Sequence, residues 1–240
     1  MRTVVVTGAA TGIGRAVAES FHAAGDRVVL TGRRRELLGT AASELGGAAK
    51  AVTFDAADAA AVTAALQELP ERVDVLVNNA GGNTDFDRDA PVTLADTAAA
   101  WRANLDANLL SAVLVTTALR DRLAPGASVV NIGSIAADKG AGSYGAAKAG
   151  LASWTVDLAG QLGPHDVTVN TVAPGYVADT EFFRDKLDDD RRRSLVDSAL
   201  TRRPSRPHDI AAAVAFLAGP GARQITGQMI AVNGGEHTTR

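Results

Sequence analysis

The sequence predicts a doubly wound α/β fold: a parallel sheet of about seven strands with helices on both faces. Three observations predict it. Short β-branched runs recur along the chain, Ala-rich segments of helix length lie between them, and the first run ends in a glycine-rich turn that opens a helix. Strand, helix, strand, repeated, favours a parallel sheet with right-handed crossovers. The runs are nearly continuously apolar, as strands buried on both faces must be.

The elements follow in order. "TVVVT" at 3–7 is the first strand, and the helix at 13–24 follows its glycine turn. "RVVLT" at 27–31 leads into a helix at 34–45, and "AVTF" at 51–54 into one at 58–69. "VDVLV" at 73–77 and "SVVNI" at 128–132 continue the sheet. "SYGAAKAGL" at 143–151 begins another helix, "VTVNTV" spans 167–172, a helix covers 208–218, and "MIAV" at 229–232 ends the sheet. No long linker or low-complexity tail interrupts the rhythm, so 1–240 reads as a single domain. The one departure is 179–206, which is highly charged but places apolar residues at Phe183, Leu187, Leu195 and Leu200. It reads as one or two amphipathic helices forming a lid over a site, or else as a solvated surface insertion. Asp179, Asp185 and Asp188 to Asp190 make part of it acidic.

Composition narrows the function classes. The chain has 240 residues, 46% hydrophobic and 21% charged, enough for a sizeable core. A net charge of −3 offers no basic face for nucleic acid. There is no cysteine, so neither disulfides nor thiolate metal sites arise, and the four histidines are scattered. No apolar run approaches the roughly 20 residues of a membrane span. The chain enters a strand pattern at once without a signal-like segment, so the expected location is the cytoplasm.

Two places carry chemistry. In "VVVTGAATGIGRAVAESF", Gly8, Gly12 and Gly14 are spaced G-x-x-x-G-x-G between strand and helix. Glycines there allow close backbone approach, and free N–H groups at the helix start suit a phosphate. A plain strand-to-helix turn is the alternative. At the end of the second strand, where a carboxylate would bind a ribose 2′-hydroxyl, stand Arg33, Arg34 and Arg35. Three cations at a helix N-terminus oppose the macrodipole, and a 2′-phosphate would relieve them, so NADP(H) is favoured over NAD(H). Solvated arginines are the other reading. The second place is Tyr144 with Lys148 four residues on, one face of one helix. An ammonium there favours phenolate and should lower the phenol's pKa.

These residues converge on a family. The chain resembles the short-chain dehydrogenases/reductases over essentially its whole length, through "TGAATGIG" (7–14), "NNAG" (78–81), Asn108 in "WRANLDANLL", "NIGS" (131–134), "YGAAK" (144–148), "PGYVADT" (174–180) and "ITGQMIAVNGG" (225–235). The resemblance implies a Rossmann-type sheet, a nicotinamide cofactor and an Asn-Ser-Tyr-Lys set. By it, Tyr144 is the acid/base, Lys148 lowers its pKa and holds the nicotinamide ribose, Ser134 bonds the substrate oxygen, and Asn108 anchors a water behind Lys148. Gly8, Thr11, Gly12, Ile13, Gly14 and Arg33 would hold the phosphates. Asp55 and Ala56 would meet adenine; Asn79, Ala80 and Gly81 would line the cofactor; Pro174 and Gly175 would also bind it, Val177 would meet the carboxamide through its backbone, and Thr180 the phosphate or carboxamide side. Each has a plainer alternative: Ser134 as a cap, Asn108 bonding backbone around a helix distortion, Asp55 as a turn residue.

Two departures stand out. Only ten positions separate Ser134 from Tyr144, a short loop that should wall the substrate less, and Thr11 stands where many NADP-using members carry Arg or Ser. The resemblance points to the branch of 3-oxoacyl-carrier-protein reductases and bacterial ketone, sugar and polyketide reductases. An acidic carrier protein would want a basic rim, which Arg120, Arg122, Arg191 to Arg193 and Arg202 to Arg206 could supply. The acidic residues near the lid, with Asp138, oppose it, so a ketone reductase is favoured. An NAD-dependent alcohol or sugar dehydrogenase and a non-catalytic NADP-binding sensor are the rivals. Homodimers or homotetramers are also implied, built on the Tyr144 helix. There Ala147, Gly150, Ala152, Ala159 and Gly160 are small, and Trp154 and Leu158 flank them.

Overall fold

The structure, a computed structural model, describes residues 1–184 and 186–238. Seven strands form one parallel sheet in the order β3-β2-β1-β4-β5-β6-β7. They are β1 (Thr3–Thr7), β2 (Arg27–Gly32), β3 (Ala49–Thr53), β4 (Val73–Asn78), β5 (Leu123–Ile132), β6 (Thr168–Pro174) and β7 (Met229–Val232). The helices are α1 (Gly12–Ala23), α2 (Arg35–Leu45), α3 (Ala59–Ala65), α4 (Leu94–Leu105), α5 (Ser111–Leu119), α6 (Ala136–Lys139), α7 (Gly142–Leu162), α8 (Asp189–Ser198) and α9 (Pro207–Leu217).

Alternation along each strand divides the core in two. Val4, Val6, Val28, Leu30, Val75 and Val77 face one layer with Phe21 of α1, Leu38 of α2 and Ile210 of α9. Val5, Val29, Leu76, Val129 and Val169 face the other, against Val62 of α3, Val115 of α5 and Leu158 of α7. The Rossmann-type sheet expected from the sequence is thus present. The strand order reverses between β1 and β4, and a crevice opens there beyond the carboxyl ends of the strands.

Boundaries shift where local chemistry overrides pattern. β5 starts at Leu123, because Leu123 pairs with Val73 before the register slips and resumes at Val75 and Ser128. α3 ends at Ala65, short of 69; Asp58 caps its start by accepting from the amides of Ala60 and Ala61. Among the described residues of 179–206 one helix forms, α8, capped by Asp188, and Phe182 and Phe183 lie in the turn before it. Leu195 faces the crevice, whereas Leu200 is exposed, so the expected apolar face is only partly built. Asp185 lies outside the described residues. The expected small-residue face of α7 is also divided. Ala147, Leu158 and Ala159 are buried on the chain's own sheet, and Gly150 admits Leu109, while Gly160 and Val156 point outward.

Candidate active site

A cleft of about 1500 Å³ runs across the carboxyl ends of the strands. Every site residue expected from the sequence lines it except Gly14 and Asn108, which stand behind its wall. Gly14 is where α1 meets the sheet. A Cβ there would lie 2.4 Å from both Asn79 Nδ2 and Gly8 O, so only glycine lets α1 start this close to β1. The amide of Arg15 donates to Thr11 O, so those of Gly12, Ile13 and Gly14, in the first turn of α1, precede the helix's own hydrogen-bond ladder and can serve a ligand. Thr7 completes this wall: its Oγ1 accepts from the amides of Asn79 (3.0 Å) and Ala80 (2.9 Å). Asn79 Nδ2 donates to Thr7 O and Gly8 O, both at 3.0 Å. A cradle of backbone amides closed by glycine fits a dinucleotide's phosphates.

The three arginines divide. Arg33 lies 3.7 Å from Asp55 and is largely exposed. Arg34 donates to Glu181 Oε2 and to Thr11 Oγ1, both at 2.9 Å. The Arg34 guanidinium holds the Glu181 carboxyl below the usual range. No carboxylate follows β2 before Glu36. Asp55 turns its Oδ1 to the Ala57 amide, so it serves the turn after β3 while lining the cleft.

Asn108 sits in a π turn, Asp106–Leu110, between α4 and α5. Its Oδ1 accepts from Gly82 N and its Nδ2 donates to Gly82 O and Asn104 O. A Cβ on Gly81 would meet Asn108 Oδ1 at 2.6 Å, so the glycine admits this stitch. The side chain is therefore engaged with backbone around a helix distortion, the plainer of the two readings of Asn108.

Tyr144 opens α7 one turn before Lys148, and Ser134 follows β5. Ser134 Oγ caps the next turn by accepting from Ala136 N at 3.1 Å. The phenol of Tyr144 is 6% exposed, and burial pushes its pKa up to about 12, with Ser134 pulling weakly the other way. The net shift is thus upward, against the lowering expected from Lys148. Desolvation outweighs an ammonium that stands 5.9 Å from the ring centroid and donates to Ile132 O at 2.7 Å. Burial in turn pushes Lys148 down to about 8.

Sequence reasoning missed a polar network beneath Tyr144. Asn104, fully buried, donates to Asp85 Oδ1 (3.0 Å) and Ser143 Oγ (2.8 Å) and accepts from Thr84 N. The signal was present, a polar residue four before Asn108 on the same helical face. Also missed was Glu236, whose buried carboxylate pairs with Lys139 at 2.8 Å and closes one end of the cleft. Among the described residues no acidic and histidine side chains cluster as metal ligands, and no helix is long and apolar enough to cross a membrane.

The fold and this cleft define an oxidoreductase that exchanges hydride between a nicotinamide and a carbonyl or alcohol. The family described as enoyl-(acyl carrier protein) reductase matches residues 8–237. Nodulation protein G of Rhizobium sp. (strain N33) is 36% identical over 242 residues, covering 98% of this chain and 96% of that protein. The 3-oxoacyl-[acyl-carrier-protein] reductase of Vibrio harveyi is 35% identical over 251 residues, at 98% and 96% coverage. A solved short-chain dehydrogenase/reductase from Brucella melitensis, described as a glucose/ribitol dehydrogenase, superposes with a TM-score of 0.89. It is 33% identical and covers 99% of this chain and 97% of its own. The chain belongs to the short-chain dehydrogenase/reductase family.

Proposed function

We propose that the chain is an NADP(H)-dependent ketone reductase, able to oxidise the matching secondary alcohol, with Tyr144 as its proton donor. The observation that carries this reading is the meeting of Tyr144, Ser134 and Lys148 at the cleft, opposite the glycine cradle of α1. When bound, the nicotinamide supplies or accepts the hydride. A phenol with a raised pKa is fully protonated near neutral pH and can donate to an oxygen that becomes alkoxide. Ser134 Oγ offers a second hydrogen bond to that oxygen as charge builds. Lys148 is still mostly an ammonium near neutral pH, and charge drawn toward Tyr144 helps the phenol release its proton. Asn108 fixes the Gly82 backbone beside the cleft, where it would anchor a relay water behind Lys148.

Gly8, Thr11, Gly12, Ile13, Gly14, Asn79, Ala80 and Gly81 form the phosphate and ribose side. Asp55 and Ala56 border the adenine end; Pro174, Gly175, Val177 and Thr180 border the nicotinamide end. NADP(H) is favoured because Arg33 and Arg34 line the cleft after β2, where no carboxylate stands ready for a 2′-hydroxyl. NAD(H) is the alternative. A 3-oxoacyl-carrier-protein substrate is the second reading, favoured by relatives so named. The arginines that would hold an acidic carrier are largely committed elsewhere. Arg122 donates to the carbonyls of Leu66, Leu69 and Pro70, and Arg192, Arg193, Arg202 and Arg203 each pair with an aspartate. A small free ketone therefore fits better. The test is a screen of ketones and secondary alcohols that follows NADPH and NADH absorbance in both directions. Turnover of ketones with NADPH supports the reading. Turnover with NADH alone, or only of carrier-bound substrates, overturns it.

A further inference from the structure

The chain is poor in aromatics, with six Phe and two Tyr, yet three of those Phe and both Tyr meet at one place. The ring of Phe182 stands 5.5 Å from that of Tyr144, 5.8 Å edge-on from Phe86 and 4.9 Å edge-on from Phe183. Phe183 in turn lies 5.8 Å from both Phe86 and Tyr176. Four separate elements supply these rings: the turn at Thr84–Asp87, the start of α7, the segment after β6 and the turn before α8. The turn before α8 is tied to the turn at Thr84–Asp87 by the Arg184 guanidinium, which donates to both carboxylate oxygens of Asp87 at 3.0 and 2.9 Å. All the centroid distances fall in the range where aromatic rings attract through their quadrupoles, edge to face or offset.

The Phe182 ring occupies the approach to the Tyr144 phenol, where a substrate carbonyl must arrive. It is half-buried and belongs to a turn rather than to the sheet. We propose that the substrate carries an aromatic ring directly on the reacting carbonyl carbon, and that this ring takes the place of Phe182 among Tyr144, Phe86, Phe183 and Tyr176. A planar ring entering there inherits edge and face partners already set for a phenyl group. A saturated ring of the same size fills the volume but has no quadrupole to match. Among the described residues two cations border the cage: the Lys148 ammonium stands 5.9 Å from the Tyr144 ring centroid and the Arg191 guanidinium 5.9 Å from that of Phe183.

The proposal rests on the ketone-reductase reading, and the experiment separates the two. The probes are acetophenone and cyclohexyl methyl ketone, matched in carbon count and differing only in the ring. The aryl ketone is intrinsically the less electrophilic, so a preference for it reports the cage. The expected kcat/KM ratio favours acetophenone by on the order of tenfold, and Phe183→Leu or Phe86→Leu draws the ratio toward one. A second readout is calorimetric binding of 1-phenylethanol and 1-cyclohexylethanol to the enzyme holding NADPH, a pairing that cannot react. Tighter binding of the aryl alcohol is expected, with the margin lost in the same variants. Turnover of both ketones at equal efficiency overturns the cage and leaves the reductase reading intact. Absence of turnover with preferred binding of the aryl alcohol overturns the reductase reading and leaves the cage. Equal or undetectable binding of the two alcohols overturns the cage, whatever the activity.

Discussion

Lys148 is an ammonium held almost out of water, and that makes its removal informative about stability as well as catalysis. Burial lowers its pKa from 10.5 to about 8. At about 1.4 kcal/mol for each tenfold change in proton affinity, keeping it charged in the folded protein at pH 7 costs about 3 kcal/mol. Lys148→Met keeps the stem and removes the charge. It also removes the charge-assisted bond to Ile132 O, a loss of about 2 kcal/mol. The variant should therefore be more stable than the parent by about 1 kcal/mol at pH 7, while its turnover collapses. The sign of the pH dependence follows from the depressed pKa. Between pH 8 and 10.5 the unfolded chain holds a proton that the folded one has lost, so the parent gains stability as pH rises. The variant has no such gain, and its advantage should shrink to nearly nothing or reverse by pH 10. Urea unfolding by circular dichroism, without cofactor and at fixed protein concentration, measures both quantities. A variant less stable than the parent at pH 7, or a difference that stays constant from pH 7 to 10, refutes the account of Lys148 as a desolvated cation.

Two further outcomes are expected. Arg33→Asp should repel a 2′-phosphate and offer a 2′-hydroxyl an acceptor, moving preference from NADPH toward NADH in equilibrium titrations; a parent that already binds NADH more tightly refutes the arginine argument. In solution the chain should form dimers or tetramers through the outward side of α7 and its neighbours, where Val156, Trp101 and Leu110 are exposed. Light scattering behind a sizing column that gives a mass near 24.6 kDa at micromolar concentration would show a monomer instead.

Much of this was legible in the sequence, for identifiable reasons. Buried parallel strands must be apolar throughout, so β1, β2 and β4 announce themselves, and β7 was read to the residue. The glycine cradle was legible because close approach of α1 to Asn79 excludes any side chain at Gly14. The Tyr144 and Lys148 pair was legible from helical spacing, but its electrostatics was not. Spacing shows the ammonium near the phenol and says nothing of Phe182, which comes from 38 positions away and helps desolvate it. The same holds for Asn104, Ser143 and Asp85, and for the Glu236 to Lys139 pair. Each joins segments far apart in the chain, and only the folded backbone brings them together.

The central claim is that Tyr144 delivers the proton in carbonyl reduction. Its most direct test is Tyr144→Phe, with NADPH affinity measured by titration beside turnover of a ketone that the parent reduces. The ring remains to pack against Phe182, so cofactor affinity should be nearly unchanged while turnover falls by about 10²–10⁴. Turnover close to that of the parent, at equal cofactor affinity, would contradict the claim.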